Sequence, residues 1–150
     1  MRAICVALAL IVGVWTTAMA ETPILSAPDA QARVAAGEMV LLDIRTRKEW
    51  QKTGLAEGAW PVSMHEPDFG TRLQAILKSV PPEQIGLICA TGGRSAHVIK
   101  ILQNNGIEGV IDVSEGMKGN RRGPGWIARG MEIVQLEDAV KAYEQATAGW

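Results

Sequence analysis

One cysteine lies beyond the first twenty residues, Cys89, and its neighbours are those that a reactive sulfur needs. The apolar run Ile85-Gly86-Leu87-Ile88 leads into it, Ala90-Thr91-Gly92-Gly93-Arg94-Ser95 follows, and a helical pattern of apolar residues comes next. A strand that turns sharply into a helix delivers unpaired N–H groups and the positive end of the helix dipole to the turn, where an anionic sulfur is stabilised. Gly92 and Gly93 let the backbone curl around the sulfur. Packing alone accounts for a buried cysteine, but it requires neither the glycines nor the arginine. Cys89 therefore reads as a nucleophile. The inward-facing amides of Ala90, Thr91, Gly92, Gly93, Arg94 and Ser95 hold the anion, and Arg94 adds positive charge for an anionic substrate. Such a thiolate already carries its charge and needs no separate general base. The Thr91 hydroxyl is a further donor inside the loop.

The elements that must position this loop alternate between strand and helix signals. Ser26-Ala27-Pro28-Asp29 has the look of a helix start with Ser26 as cap, and Gly37 stops it. Met39 to Leu42 is a continuous apolar run, suited to a strand covered on both faces of a parallel sheet. It ends at Asp43-Ile44-Arg45, the carboxyl end at which ligands collect in open α/β sheets. Thr46 to Lys52 predicts a helical segment with Trp50 inward, Gly54 to Gly58 a loop, and Trp60 to Ser63 a short strand. Asp68 to Val80 predicts a helix ended by Pro81-Pro82. Ile85 to Cys89 is then the central strand, Ser95 to Gln103 a helix ended by Asn104-Asn105-Gly106, and Val110 to Val113 another strand. Gly119 to Gly125 predicts a surface loop before Trp126 docks, and Leu136 to Ala146 an amphipathic final helix.

Met1-Arg2-Ala3, the apolar stretch Ile4 to Trp15 and the small-x-small Ala18-Met19-Ala20 predict a secretory signal peptide over residues 1–20, cleaved before Glu21. Its apolar core is shorter than the roughly 20 residues of a membrane span. Residues 21–150 then form a single domain in the periplasm or outside the cell, with no stable membrane association after cleavage. The whole chain carries 15 Lys and Arg against 16 Asp and Glu, and no basic tract or nucleic-acid motif marks it as a nucleic-acid binder. With Cys5 lost in the signal, Cys89 has no internal disulfide partner. His65, in a loop able to reach the pocket rim, and His97, after the active loop, are assigned structural or surface roles. No Cys, His and carboxylate cluster has metal-ligand spacing. Trp50, Trp60 and Trp126 read as core or rim anchors, and Arg121 and Arg122 as solvated loop charges.

Asp43-Ile44-Arg45, Glu49-Trp50, the stretch from Gly54 to Ala59, Cys89 to Ala96, and Gly106 with Glu115-Gly116 resemble, in order and spacing, the rhodanese homology domain over almost the whole chain beyond residue 20. Gly123-Pro124-Gly125-Trp126 also resembles the C-terminal part of small exported bacterial members. The resemblance implies an α/β fold with a roughly five-stranded parallel sheet flanked by helices on both faces, and the cysteine loop as active site. It further implies a sulfurtransferase of the thiosulfate:cyanide type with no cofactor and no metal. Cys89 takes sulfane sulfur from a small anionic donor as a persulfide and passes it to a thiophilic acceptor, which includes a possible protein acceptor. Related phosphatases have a Cys-to-Arg loop one residue longer, so the loop from Cys89 to Arg94 has the sulfur-transfer length.

The resemblance makes Asp43 a loop-supporting carboxylate, with Arg45 beside it; Arg45 could steer anions, but its spacing favours an ordinary salt bridge with Glu49 at i+4. Arg94 either contacts the substrate or turns away to pair with Asp43 or cap local carbonyls. Two other readings remain open at this stage: a noncatalytic sulfur carrier or redox-sensing module, and a phosphatase or arsenate-processing enzyme.

Overall fold

Strands with apolar side chains on both faces need cover on both faces, and the chain meets that need with a parallel sheet between two helical layers. The computed structural model describes residues 21–150; the expected signal peptide lies outside the described residues. In chain order the elements are β1 (Ile24–Leu25), α1 (Ala27–Ala35), β2 (Val40–Asp43), α2 (Arg47–Thr53), β3 (Leu55–Ala56), β4 (Ala59–Pro61), α3 (Phe69–Ser79), β5 (Ile85–Ile88), α4 (Gly93–Asn104), β6 (Ile111–Val113), α5 (Gly125–Ala128), β7 (Ile133–Val134) and α6 (Leu136–Thr147). The main sheet is five-stranded in the order β1-β6-β5-β2-β4, and every pairing in it is parallel. A 3₁₀ turn at Pro82–Gln84 leads into the central β5.

Period-two alternation sorts the strand residues into two cores. Leu41, Ile88, Ile111 and Val113 join Ala27 and Ala30 of α1, Trp126 of α5 and Leu136 of α6. Leu42, Leu87 and Cys89 face the other way, toward Leu73 and Ile76 of α3 and Val98, Ile99 and Leu102 of α4. Asp112, between Ile111 and Val113, falls by the same alternation on the Cys89 side. Asp43, between Leu42 and Ile44, falls on the opposite one.

Local signals explain the boundaries. The Ser26 hydroxyl caps α1 by accepting from the Asp29 amide, with Pro28 in the first turn. Thr46 and Glu49 form a reciprocal capping box on α2, worth on the order of 1 kcal/mol for such a cap. Two expectations are corrected. The α4 helix begins at Gly93 rather than Ser95, because Gly92 adopts the left-handed conformation (φ 83°) that lets the chain enter the helix two residues early. The expected loop from Gly54 to Gly58 contains β3, which pairs antiparallel with β7; a two-residue strand has too little length to show periodicity. Among the described residues, no helix is long and apolar enough to cross a membrane.

Candidate active site

Cys89 follows the last residue of β5 at the carboxyl edge of the sheet and is 1% exposed. Apolar residues of the α3–α4 core pack on one side of it, and on the other the Gly92 amide donates to its Sγ at 3.1 Å. The Ser95 hydroxyl lies 3.6 Å from the sulfur. Sequence reasoning assigned the whole run of amides from Ala90 to Ser95 to the sulfur; among the described residues only the Gly92 amide hydrogen-bonds to it. Thr91 and Gly93 are exposed on the outer turn of the loop, Ala90 and Gly92 are buried, and Ser95 is fully buried.

The loop is pinned from behind by the segment after β6. The Met117 and Lys118 amides donate to the Cys89 and Ala90 carbonyls at 2.9 and 2.8 Å. The Asn120 Nδ2 amide donates to the Thr91 carbonyl at 2.8 Å and to the Ser114 carbonyl at 2.7 Å. A Cβ at Gly92 would collide with the Ser114 carbonyl oxygen, so glycine is required there for space as well as for φ. Glu115 fastens this segment to the rest of the fold by accepting from the Ala27 and Gly125 amides at 2.7 and 2.8 Å and from Arg129 Nε at 3.0 Å. Burial pushes the Glu115 carboxyl up, but the bonds from Ala27, Arg129 and Gly125 outweigh it and leave the group below its ordinary value.

The ion pairs around the loop differ from both pairings expected of Arg45 and Arg94. Arg94 turns to Glu49 in a two-pronged bridge, 2.7 Å from Nη2 to Oε1 and 2.9 Å from Nη1 to Oε2, and not to Asp43. His65 stands at this rim, its Nε2 3.4 Å from Arg94 Nη1. The Arg94 hydrogen bonds, with those from the Thr46 backbone and side chain, hold Glu49 down at about 2 against the pull of burial, and Glu49 in turn raises Arg94. Arg45 pairs with Asp43 and not with Glu49. Its Nε and Nη2 reach both carboxylate oxygens at 2.7 to 3.0 Å, and the guanidinium also donates to the Thr53 hydroxyl and the Gly54 carbonyl. Helical i+4 spacing fails here because Arg45 precedes the cap of α2 and its side chain is drawn into the core, where both partners are fully buried. The pair lies on the sheet face opposite Cys89, and among the described residues neither member hydrogen-bonds to residues 89–95. Its link to the loop runs through backbone, from the Ile44 amide to the Ile88 carbonyl.

Sequence reasoning passed over two further residues and misplaced a third. Asp112 is buried in β6 and its Oδ1 accepts from the Ser95 hydroxyl at 2.7 Å. Burial raises its carboxyl above the ordinary value, partly offset by the Ser95 hydrogen bond and the Arg122 charge. The signal for it was a charge inside an otherwise apolar strand. Asn120 opens a turn closed by Gly123, and its readable signal was the Asn-x-x-Gly spacing. Glu49 was visible but assigned to the wrong arginine. Elsewhere, His97 lines an apolar groove between α3 and α4, Trp126 is fully buried with its indole N–H on the Glu132 carbonyl, and Trp60 packs on Tyr143 and Trp150. Arg121 is exposed, and Arg122 is exposed with Nη1 3.9 Å from Asp112. No group of three or more metal-ligating residues occurs among the described residues.

These features define an α/β domain that presents a thiol at the carboxyl edge of an open parallel sheet, on a loop running into a helix. The chain belongs to the rhodanese-like domain family, whose profile matches residues 26–121. An uncharacterized protein of Rickettsia rickettsii is 27% identical over 95 residues, covering 57% of this chain and 75% of its own length. Among solved structures, the polysulfide-sulfur transferase of Wolinella succinogenes superimposes with a TM-score of 0.57 at 22% identity, covering 76% of this chain and 79% of that one. The thiosulfate sulfurtransferase of Pseudomonas aeruginosa gives a TM-score of 0.51 at 26% identity, over 83% of this chain and 24% of that longer chain. A protein of Rhodopseudomonas palustris described as a possible tyrosine phosphatase gives 0.51 at 24% identity, over 75% of this chain and 85% of that one.

Proposed function

We propose that this protein is a sulfurtransferase in which Cys89 carries sulfane sulfur as a persulfide. The Cys89 thiolate attacks the outer sulfur of thiosulfate or a similar anionic donor; the new S–S bond forms as the donor's S–S bond breaks, and sulfite departs with the electron pair. An acceptor such as cyanide then attacks the outer persulfide sulfur, forms thiocyanate and returns the thiolate. The carrying observation is the Gly92 amide, aimed at the sulfur from 3.1 Å at the start of α4: a fixed donor at a helix N-terminus favours the anionic form before and after transfer.

The engagement of Arg94 by Glu49 supports sulfur transfer over phosphate chemistry. A guanidinium committed to a bidentate carboxylate is not free to grip a tetrahedral phosphate, and the Cys-to-Arg loop is short. Export, with residues 1–20 removed and work outside the cytoplasm, belongs to the same proposal; the N-terminal mass of protein recovered from a periplasmic fraction tests it, with Glu21 expected first.

Incubation of the purified protein with thiosulfate and cyanide is expected to yield thiocyanate, and the Cys89 peptide to gain one sulfur when cyanide is withheld. An unchanged rate in Cys89→Ser removes the assignment. Stable loading with negligible turnover points instead to a carrier or redox-sensing module, and hydrolysis of an aryl phosphate that depends on Cys89 and Arg94 points to a phosphatase.

A further inference from the structure

A chain of three polar groups begins at the sulfur and runs into β6. Cys89 Sγ is 3.6 Å from Ser95 Oγ, which is 2.7 Å from Asp112 Oδ1, and all three residues are no more than 2% exposed. A hydroxyl has one hydrogen and two lone pairs, and Ser95 Oγ has one more neighbour, the Gly92 carbonyl at 3.1 Å. That carbonyl also accepts the Ala96 amide and, having two lone pairs, is a third acceptor for the hydroxyl hydrogen; at 3.1 Å and neutral it is the weaker rival of the 2.7 Å carboxylate, so the choice that matters is between the carboxylate and the sulfur. With Asp112 ionised, the short charge-assisted contact takes it, and the thiol keeps its own proton, pointed at Oγ. With Asp112 protonated, its O–H donates to Oγ and the hydroxyl hydrogen turns to the sulfur, now an anion. One proton moving from sulfur to Ser95 and another from Ser95 to Asp112 interconvert the two states, with no atom or charge gained or lost.

We infer that Asp112 is a positioning residue that shares one proton with Cys89 through the Ser95 hydroxyl and holds that proton while the sulfur is anionic. This deepens the sulfur-transfer reading and rests on it for its catalytic meaning. During transfer the proton stays on Asp112 as sulfite leaves, and the hydroxyl hydrogen follows the negative charge on the sulfur.

Burial raises the Asp112 carboxyl, as a group that receives a proton requires. The charged groups around the relay are few. Arg122 approaches Oδ2 to 3.9 Å on an exposed arm, and Glu21 and Lys100 line the same cleft as Asp112. On the sulfur side Arg94 is held by Glu49, and the charge of Asp43 acts on Arg94 from the opposite sheet face. The cleft holds about 450 Å³, includes Gln103 in its wall, and is lined by none of residues 89–94. Asp112 therefore has its own route for exchanging a proton with solvent, open while a donor covers the loop.

Alkylation by iodoacetamide, read from the mass of the Cys89 peptide of the full-length protein across acidic to alkaline pH, follows the sulfur without any sulfur donor. Two groups sharing a proton titrate as a pair, so the wild type is expected to react in two steps with a plateau between. Asp112→Asn cannot take up the proton and is expected to show one step. Ser95→Ala is also expected to show one, displaced upward by about one to two pH units because the anion loses its hydroxyl donor. Arg122→Ala changes only an exposed arm, keeps the fold, and is expected to move the first step upward by a few tenths of a unit. A single step in the wild type, or D112N and R122A profiles that superimpose on it, overturns the relay. Sulfur loading from thiosulfate, measured on the same samples, reports separately. Two-step alkylation without loading removes the sulfur-transfer reading and keeps the proton sharing; loading with superimposed profiles does the reverse.

Discussion

Replacing Glu49 by glutamine removes one charge from the bridge that anchors the active loop, and the size of the effect follows from the bridge itself. The Glu49 carboxyl is held at about 2 against an ordinary value of 4.5, and each unit corresponds to about 1.4 kcal/mol. Full realisation would amount to about 3–4 kcal/mol. The side chains of Glu49 and Arg94 are 23% and 27% exposed, and solvent screening reduces that to about 1–2 kcal/mol. The sign is that of a depressed carboxyl: stability is fully present above 4.5, falls as pH drops below that value, and is lost as pH passes through about 2. Glutamine at the third helical position keeps the capping box with Thr46, so the substitution isolates the charge. Urea unfolding of wild type and E49Q is expected to show a gap of about 1–2 kcal/mol at neutral pH that closes as the solution is acidified toward pH 2. A gap of the same size at both ends, or none at neutral pH, would mean that the bridge does not hold the loop.

Arg45→Met leaves the fully buried Asp43 carboxyl without its guanidinium and with only the backbone amide of residue 45 as donor among the described residues; a loss of about 3–5 kcal/mol is expected from chemical denaturation, and a loss under about 1 kcal/mol would contradict the pairing. Gly92→Ala forces a side chain into the Ser114 carbonyl at φ 83°, costing roughly 1–3 kcal/mol, whereas Gly93→Ala meets open space at the first position of α4 and is expected to be neutral or stabilising by up to about 1 kcal/mol. Thermal unfolding of the two side by side decides, and equal shifts would be inconsistent with the loop geometry. Cys89 at 1% exposure is expected to be slowed, relative to a free thiol such as glutathione, at least about tenfold more toward a dye-bearing maleimide than toward iodoacetamide, since the larger reagent waits for local opening; equal slowing of both reagents relative to the free thiol would mean that reagent size does not matter and the sulfur is open to solvent.

What was legible in the sequence was what depends on chain-local physics. The strand leading into Cys89, the cap at Ser26, the breaker at Pro81-Pro82 and the final amphipathic helix all follow from periodicity, φ preferences and caps, and all stand where those signals put them. The parallel sheet follows from apolar runs that need cover on both faces, alternating with helices. Of the elements not foreseen, α5 is a single four-residue turn and β1, β3 and β7 have two residues each, and a two-residue strand exists only through its partner. No local pattern announces Leu55 pairing with Val134 across the length of the fold.

The site divides along the same line, and the division explains the exchange of partners among four charges. Asp43, Arg45, Glu49 and Arg94 were all visible as site residues, but linear spacing can offer Arg45 only Glu49 and offers Arg94 no partner at all. Folding chooses by sheet face and depth. Asp43 and Arg45 emerge on the face away from Cys89, where burial makes a lone charge costly and the two satisfy each other, leaving Glu49 at the start of α2 for the arginine that opens α4. The loop is thereby held at both ends by different means: Glu49 takes its arginine at the rim, and Asn120 and the Met117 and Lys118 amides take its carbonyls from behind. Under the proposed persulfide chemistry, a sulfur between two fixed ends can keep one orientation toward the Gly92 amide while its charge moves outward onto the second sulfur atom. The only side chain hydrogen-bonded to it among the described residues is Ser95, whose hydrogen is shared with Asp112. The part of the site hardest to read in the sequence is therefore the part able to adjust as the charge moves.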